Sequence, residues 1–230
     1  MTLLTEPTRI VLSRTQLIPA VIGEPWGGGY FAGYISHTAD GNPTHALIVA
    51  PRLEGATGTG YTLANNLAWK TANTTTAGTG SFFDGAANTA AMVTAGLADH
   101  PAANFCVGLN IGSFTDWYLP SRLELDIAYF NLKPTVELNA TSTSLGVTSG
   151  VNNYSVPNRL SGWSSSNPTM ATIGDFESAG AQGFVAGSHV SSTETASTQY
   201  VRYLMNNGQQ LPNAGKTSPN LVRAFRRIAL

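Results

Sequence analysis

The chain has 230 residues, of which 42 % are apolar and only 11 % charged, where a soluble domain carries about 25 % charged residues. Twelve Lys and Arg against thirteen Asp and Glu leave a formal charge of −1, so no long-range field attracts a polyanion and a nucleic-acid-binding role is disfavoured. Low charge with 9 % aromatic residues is also the wrong composition for intrinsic disorder, and the length suits one sizeable core or two small ones.

Residues 1–22 mix Thr, Arg and Leu without sustained periodicity, are interrupted by Pro7 and Pro19, and read as an arm ahead of a domain spanning 23–230. They lack the basic-then-apolar order of an export signal, and no run of apolar residues is long enough to insert in a membrane. Two β-rich runs, 23–36 and 45–51, flank the turn Asp40-Gly41-Asn42-Pro43 and predict a hairpin. Residues 55–81 are Gly, Thr and Asn with isolated Tyr61 and Trp69, which reads as a long surface loop.

Three helices follow. Asp84 caps the first, which runs to Gly96 and carries Ala87, Ala90, Ala91 and Val93 as a small-residue face. The second begins near Pro101, with Ala102, Phe105, Cys106 and Leu109 at helical spacing. Ser121-Arg122-Leu123-Glu124 is a capping box for the third, in which Leu123, Ile127 and Phe130 share a face, Asp126 falls on the solvent side and Pro134 closes the segment.

From 135 to 200 the chain turns to Ser, Thr, Asn and Gly, with only Glu137, Arg159, Asp175, Glu177 and Glu194 charged. The embedded Tyr154, Trp163, Phe176 and Phe184 favour an ordered, functional loop region. Strands return at 199–205 and 221–230, and Asn207-Gly208 marks a hairpin turn. Strand pair, helices, loops and strand pair in that order make an α+β protein.

The chemistry-bearing residues form no recognisable catalytic engine. GxSxG, HExxH, Walker A and CxxC patterns are absent, and the expectation is a protein without catalytic residues, bound metal or cofactor. The single Cys106 rules out an internal disulfide framework and reads as a small buried hydrophobe. His37 and His45 share the first hairpin and would need Asp40 to hold a metal, the alternative being surface or core histidines. Arg223, Arg226 and Arg227 are the only dense positive charge, suited either to an anion or to pairing with Asp116 or Glu124. Trp163, in Leu-Ser-Gly-Trp-Ser-Ser-Ser-Asn, fits an adaptable recognition loop and equally a loop indole tucked into the core.

The segment Asp116-Trp117-Tyr118-Leu119-Pro120-Ser121-Arg122-Leu123-Glu124-Leu125 resembles the DWRLPTxxEL signature of the DUF1566 family. That family includes the carboxy-terminal domain of a collagen-like adhesin of Legionella and many phage tail proteins. Ala102–Cys106 is similar to the AxxYC helix that precedes the signature, and Ser191-Ser192-Thr193-Glu194 to the family's WSSTE. Residues 199–210 resemble its AWxVxFxxGxx hairpin, and Val222–Arg227, with Arg223 and Arg226, its closing VRxVR. Tyr118 stands where the pattern has Arg, and Val190 where it has Trp.

The resemblance implies a C-type-lectin-like fold with paired terminal strands, two to three central helices and a ligand face on a long loop region. It also implies a phage virion protein at the tail tip or fibre, made in the host cytoplasm and binding a host cell-surface glycan or protein. Tyr154, Arg159, Trp163 and Asn167 are the expected contact residues, by aromatic stacking and hydrogen bonding. The arm would dock to other virion proteins, and relatives of this kind are often homotrimers. A structural or decoration virion protein without a receptor is the alternative. A formylglycine-generating enzyme would need a second cysteine, and a calcium lectin a fuller motif than Glu24-Pro25-Trp26.

Overall fold

In the segment His45-Ala46-Leu47-Ile48-Val49 every second side chain faces the same way, with Ala46 and Ile48 on one face and Leu47 and Val49 on the other, so this strand must be covered on both sides. The computed structural model describes residues 18–58, 66–145, 148–177 and 180–230 and shows that double cover. The first sheet has the order β1 (Pro25–Trp26), β2 (Gly29–Ile35), β3 (His45–Val49) and β8 (Phe225–Ala229), all antiparallel, with the short β4 (Ser155–Val156) on the free side of β2. The second joins β5 (Ser188–Ala196), β6 (Gln199–Leu204) and β7 (Gln210–Gly215). With α1 (Arg52–Gly55), α2 (Gly85–Ala95), α3 (Pro101–Val107) and α4 (Arg122–Leu132), the class is α+β.

Ala46 and Ile48 face a cluster with Trp26, Phe31, Trp69, Met92, Trp117 and Tyr200, whereas Leu47 and Val49 face one with Ile35, Ile127, Tyr129, Trp163, Phe176 and Tyr203. Each large apolar side chain fully buried there contributes about 1.5–3 kcal/mol. The segment between the sheets stitches them together: Val190 N donates to Leu221 O, Ala224 N to Gly55 O, and Tyr118 and Phe225 exchange backbone bonds in both directions. Ile18 and Ile22, at the described end of the arm, pack against the core. Residues 1–17 lie outside the described residues.

The opening hairpin and the three helix starts fall where the sequence places them, but the two closing strands do not pair with each other: the turn at Asn207-Gly208 joins β6 to β7, the last strand pairs with β3 in the other sheet, and β5 lies within the stretch expected to be loops. Asp84 accepts from Ala87 N, Pro101 opens α3, and Ser121 and Glu124 cap α4 reciprocally. Gly208 has φ of +75° and faces the Tyr129 and Trp163 rings so closely that a Cβ would lie 2.5 Å from the first, so only glycine fits this turn. The terminal pairing is made by β3 with β8, the second strand of the opening hairpin with the last strand of the chain.

Two further expectations are corrected. Residues 55–81 are not a surface loop throughout: Trp69 is fully buried, and Lys70, Thr76 and Thr79 are buried beside it, while Tyr61 lies outside the described residues. Lys70 donates to the carbonyls of Thr74 and Thr75 and to the Thr76 hydroxyl, so this low-complexity stretch wraps its own cation. Asp126 is not on a solvent face either, because α4 is buried on every side from Leu123 to Tyr129. Its carboxylate is sealed among Asn152, Arg159 and Tyr203.

Candidate functional site

The signature residues come together around the start of α4, and they hold the fold. Trp117 is buried and donates from Nε1 to Phe114 O; Leu119 and Pro120 are buried next to it. Glu124 accepts from Gly85 N and Ser121 N and from the Tyr118 hydroxyl at 2.7 Å. Tyr118, in the place of the pattern's Arg, thus supplies a neutral donor to the buried acid. Burial pushes the Glu124 carboxyl up from the usual carboxylate range, and the Tyr118 and Ser121 hydrogen bonds offset part of that rise. Ser192 accepts from Asn88 Nδ2, and Glu194 pairs with Lys216 at 2.9 Å while accepting from Thr76 N and Thr79 Oγ1. Val190 is buried in the same cluster as Trp69, so an indole is present in that cluster although it comes from another segment.

The arginines of the last strand divide. Arg223 is buried and donates to Ala50 O and Gln182 O. Arg226 pairs with Asp116 and lies over the Phe114 ring, and Arg227 pairs with Asp84 at 2.7 Å. The expected pairing with Asp116 is therefore present, while Glu124 is satisfied by Tyr118 and backbone. His37 and His45 do meet, with ring centroids 4.5 Å apart, but Asp40 is taken by Ser36 and Asn42, and the carboxylate beside His37 is Asp84. Among the described residues no group of three or more His, Cys, Asp or Glu is placed to hold a metal ion. Cys106 is buried, and burial pushes its thiol far above the ordinary range.

The four expected contact residues do not share one face. Trp163 is 7 % exposed, packs on Tyr129 and Gly150, and donates from Nε1 to Ala140 O at 2.7 Å, so its ring is core and offers no open stacking surface. Arg159 is committed to Asp126 and to Gly150 O, with its guanidinium over the Phe130 ring. Asn167 is exposed between Ser166 and Thr169, which line a separate hollow with Val136 and Leu138. Tyr154 alone lines a groove whose other walls are polar and aromatic.

That groove, of about 130 Å³, is formed by Phe82, Arg122, Leu123, Val151, Asn152, Asn153 and Tyr154. Tyr154 stacks on Phe83 at 4.2 Å and meets Phe82 edge-on at 5.6 Å. Phe82 is 39 % exposed, and the Arg122 guanidinium lies 5.1 Å from its ring centre. The loop holding Tyr154 is set by the buried Asn152, whose side chain accepts from Tyr154 N and Ser155 N and donates to Leu123 O and to Asp126. Leu123 N donates to Phe82 O and Arg122 N to Thr193 Oγ1, so the first turn of α4 positions both groove walls. Asn153 is exposed, and neither its amide nor the Tyr154 hydroxyl has a hydrogen-bond partner among the described residues. Sequence reasoning missed Phe82 and Arg122: the first sits in Ser-Phe-Phe-Asp ahead of a cap, and the second was absorbed into the capping box.

Compared with family models, with curated proteins and with solved structures, the chain has no significant match in any of the three. No helix among the described residues is long and apolar enough to cross a membrane.

Proposed function

We propose that this is a binding protein, without catalytic role or cofactor, which recognises a saccharide of a host cell surface through the groove between Phe82 and Tyr154. The observation that carries the reading is the convergence of two accessible aromatic rings with polar groups that have spare hydrogen-bonding capacity, Asn153, the Tyr154 hydroxyl and Arg122. Rings that pack on the apolar face of a sugar, beside side chains that bond its hydroxyls, are the chemistry such a site needs. The motif resemblance supports the wider frame: a DUF1566 member with a C-type-lectin-like fold, placed on a phage tail tip or fibre, acting as a homotrimer whose arm docks to other virion proteins. Several weak copies on one particle would then adsorb through multivalency.

The test is saccharide-array binding and host-cell adsorption by the full chain and by a Phe82→Ala/Tyr154→Ala variant. Loss of binding by at least tenfold with an unchanged unfolding midpoint is expected, and unchanged binding by a folded variant overturns the reading.

A second reading, a structural or decoration virion protein, has its own observation. Val136 and Leu138 are 81 % and 70 % exposed around the hollow that includes Lys133, Thr169 and Met170. Exposed aliphatic residues grouped in this way suit contact with another subunit. Val136→Ser/Leu138→Ser should abolish incorporation into particles under that reading and leave cell binding intact under the first.

A further inference from the structure

Among the charged residues of α4 and its surroundings, Arg122 is held in an unusual way. Asp126 below it is neutralised by Arg159, and Asp84 is neutralised by Arg227. Arg122 makes one side-chain hydrogen bond, from Nη1 to Gln210 Oε1 at 2.8 Å, and rests against the Phe82 ring. Its Nε and Nη2 donate to no described residue, and neither belongs to the sealed, unpartnered atoms of the molecule, which are Trp26 Nε1, Trp69 Nε1, Ser149 Oγ, Ser188 Oγ and Arg202 Nε. The edge of the guanidinium that carries Nε and Nη2 presents two parallel N–H groups, the geometry that takes a carboxylate bidentately. The backbone donors of the helix start are already used, by Thr193, Phe82 and Ser121, so an anion in the groove would be read by this side chain.

We propose that the groove selects saccharides bearing a carboxylate, uronic or ulosonic acid residues, with Arg122 Nε and Nη2 gripping the acid while Phe82 and Tyr154 pack against the sugar ring. This rests on the groove being the saccharide site and names the class it takes. Gln210 and the Phe82 ring fix the guanidinium plane before the ligand arrives, which lowers the ordering cost of a long side chain. Burial also lowers the Arg122 pKa, with Asp126 and Tyr203 opposing that shift, so the guanidinium is partly desolvated. One ion contact gives a shallow dependence on salt, in keeping with a surface otherwise poor in charge.

The experiment measures the full chain against an array in which each acidic oligosaccharide is printed beside its carboxyl-reduced counterpart and a phosphorylated sugar of the same size. Preference for the acid over its reduced form by at least tenfold is expected, reduced to less than threefold in Arg122→Gln and only partly kept in Arg122→Lys. Because Arg122→Gln also loses the Gln210 contact, the wild-type comparison of acid with reduced sugar stands as an independent measure that needs no variant. Equal binding of acid and reduced forms, both lost in Phe82→Ala/Tyr154→Ala, overturns the carboxylate inference and leaves the saccharide site standing. Preference for the phosphorylated sugar also overturns it. Binding only to reduced or neutral sugars overturns the carboxylate inference alone, whereas binding to no saccharide, or binding untouched by Phe82→Ala/Tyr154→Ala, overturns both.

Discussion

The sheet of β2, β3 and β8 and the loop stretch 135–177 both place aromatic side chains in the core, Phe31 and Phe225 in the first and Trp163 and Phe176 in the second, yet they satisfy their polar groups by different means. In the sheet the backbone pairs with backbone, and the arginines of β8 meet the carboxylates Asp116 and Asp84. In the loop stretch the amides of Asn139 and Asn152 stand in for a neighbouring strand. Asn139 accepts from the Tyr129 hydroxyl and Lys133 Nζ and donates to Ser164 O and Pro168 O; Asn152 serves two amides, one carbonyl and one carboxylate. A segment poor in charge and in regular structure is thus fixed by side-chain amides, each of which offers donors and acceptors together.

If the loop stretch is as firmly built as the sheet, Trp163→Ala should destabilise the protein by about 3–5 kcal/mol, as truncating a core aromatic does. Denaturant unfolding checks this, and a loss under about 1 kcal/mol would mean that the indole is not core. Asn152→Ala should come next, since each buried group it leaves unpaired costs about 1–3 kcal/mol. It should also weaken ligand binding by releasing Tyr154, an effect absent from Asn139→Ala if the two amides govern separate parts of the loop.

A smaller, pH-dependent difference involves His189, which is buried against Phe184 and held down to about 4 by burial, with Arg223 adding to the depression and the Gly187 carbonyl opposing it. The unfolded chain, with its ordinary value of 6.5, binds the proton more readily, so stability falls as pH drops from about 6.5 to about 4. His189→Gln should flatten that slope, measured as the difference from wild type so that His37, also held near 4, cancels. The smallest effect belongs to the sheet: Asp116 is 55 % exposed, so Asp116→Asn should cost less than about 1 kcal/mol despite its bond to Arg226.

The sequence showed the opening hairpin, the three helix starts and the turn after β6 because each is written in local chemistry: Asp40-Gly41, Asp84, Pro101, Ser121 with Glu124, and Asn207-Gly208. It did not show β5 or β7, whose Ser, Thr, Asn and Gly residues carry no apolar alternation and become strands only by pairing with β6. It misplaced Asp126 because helical spacing assumes a helix with one wet face, whereas α4 is enclosed by β2, β6 and the 150s loop. Trp69 was hidden by its small polar neighbours, since its burial depends on Tyr200, more than a hundred residues away, and the choice between the two readings of Trp163 depended on Tyr129 in α4. Of the groove, only Tyr154 was legible. Phe82 and Arg122 are far apart in the chain, and the Leu123–Phe82 backbone bond, the Gly85–Glu124 bond and the bridging Thr193 hydroxyl bring them into register.

Leu230 N donates to Thr44 O, which sets the last residue beside the turn of the opening hairpin. That same end of the sheet carries Ser36, whose amide donates to Tyr154 O, and Gly41, which approaches Asn158. A purification tag or reporter fused after Leu230 would therefore emerge at the rim that also bears Tyr154. Immobilising the protein through a carboxy-terminal tag would crowd the groove against the support.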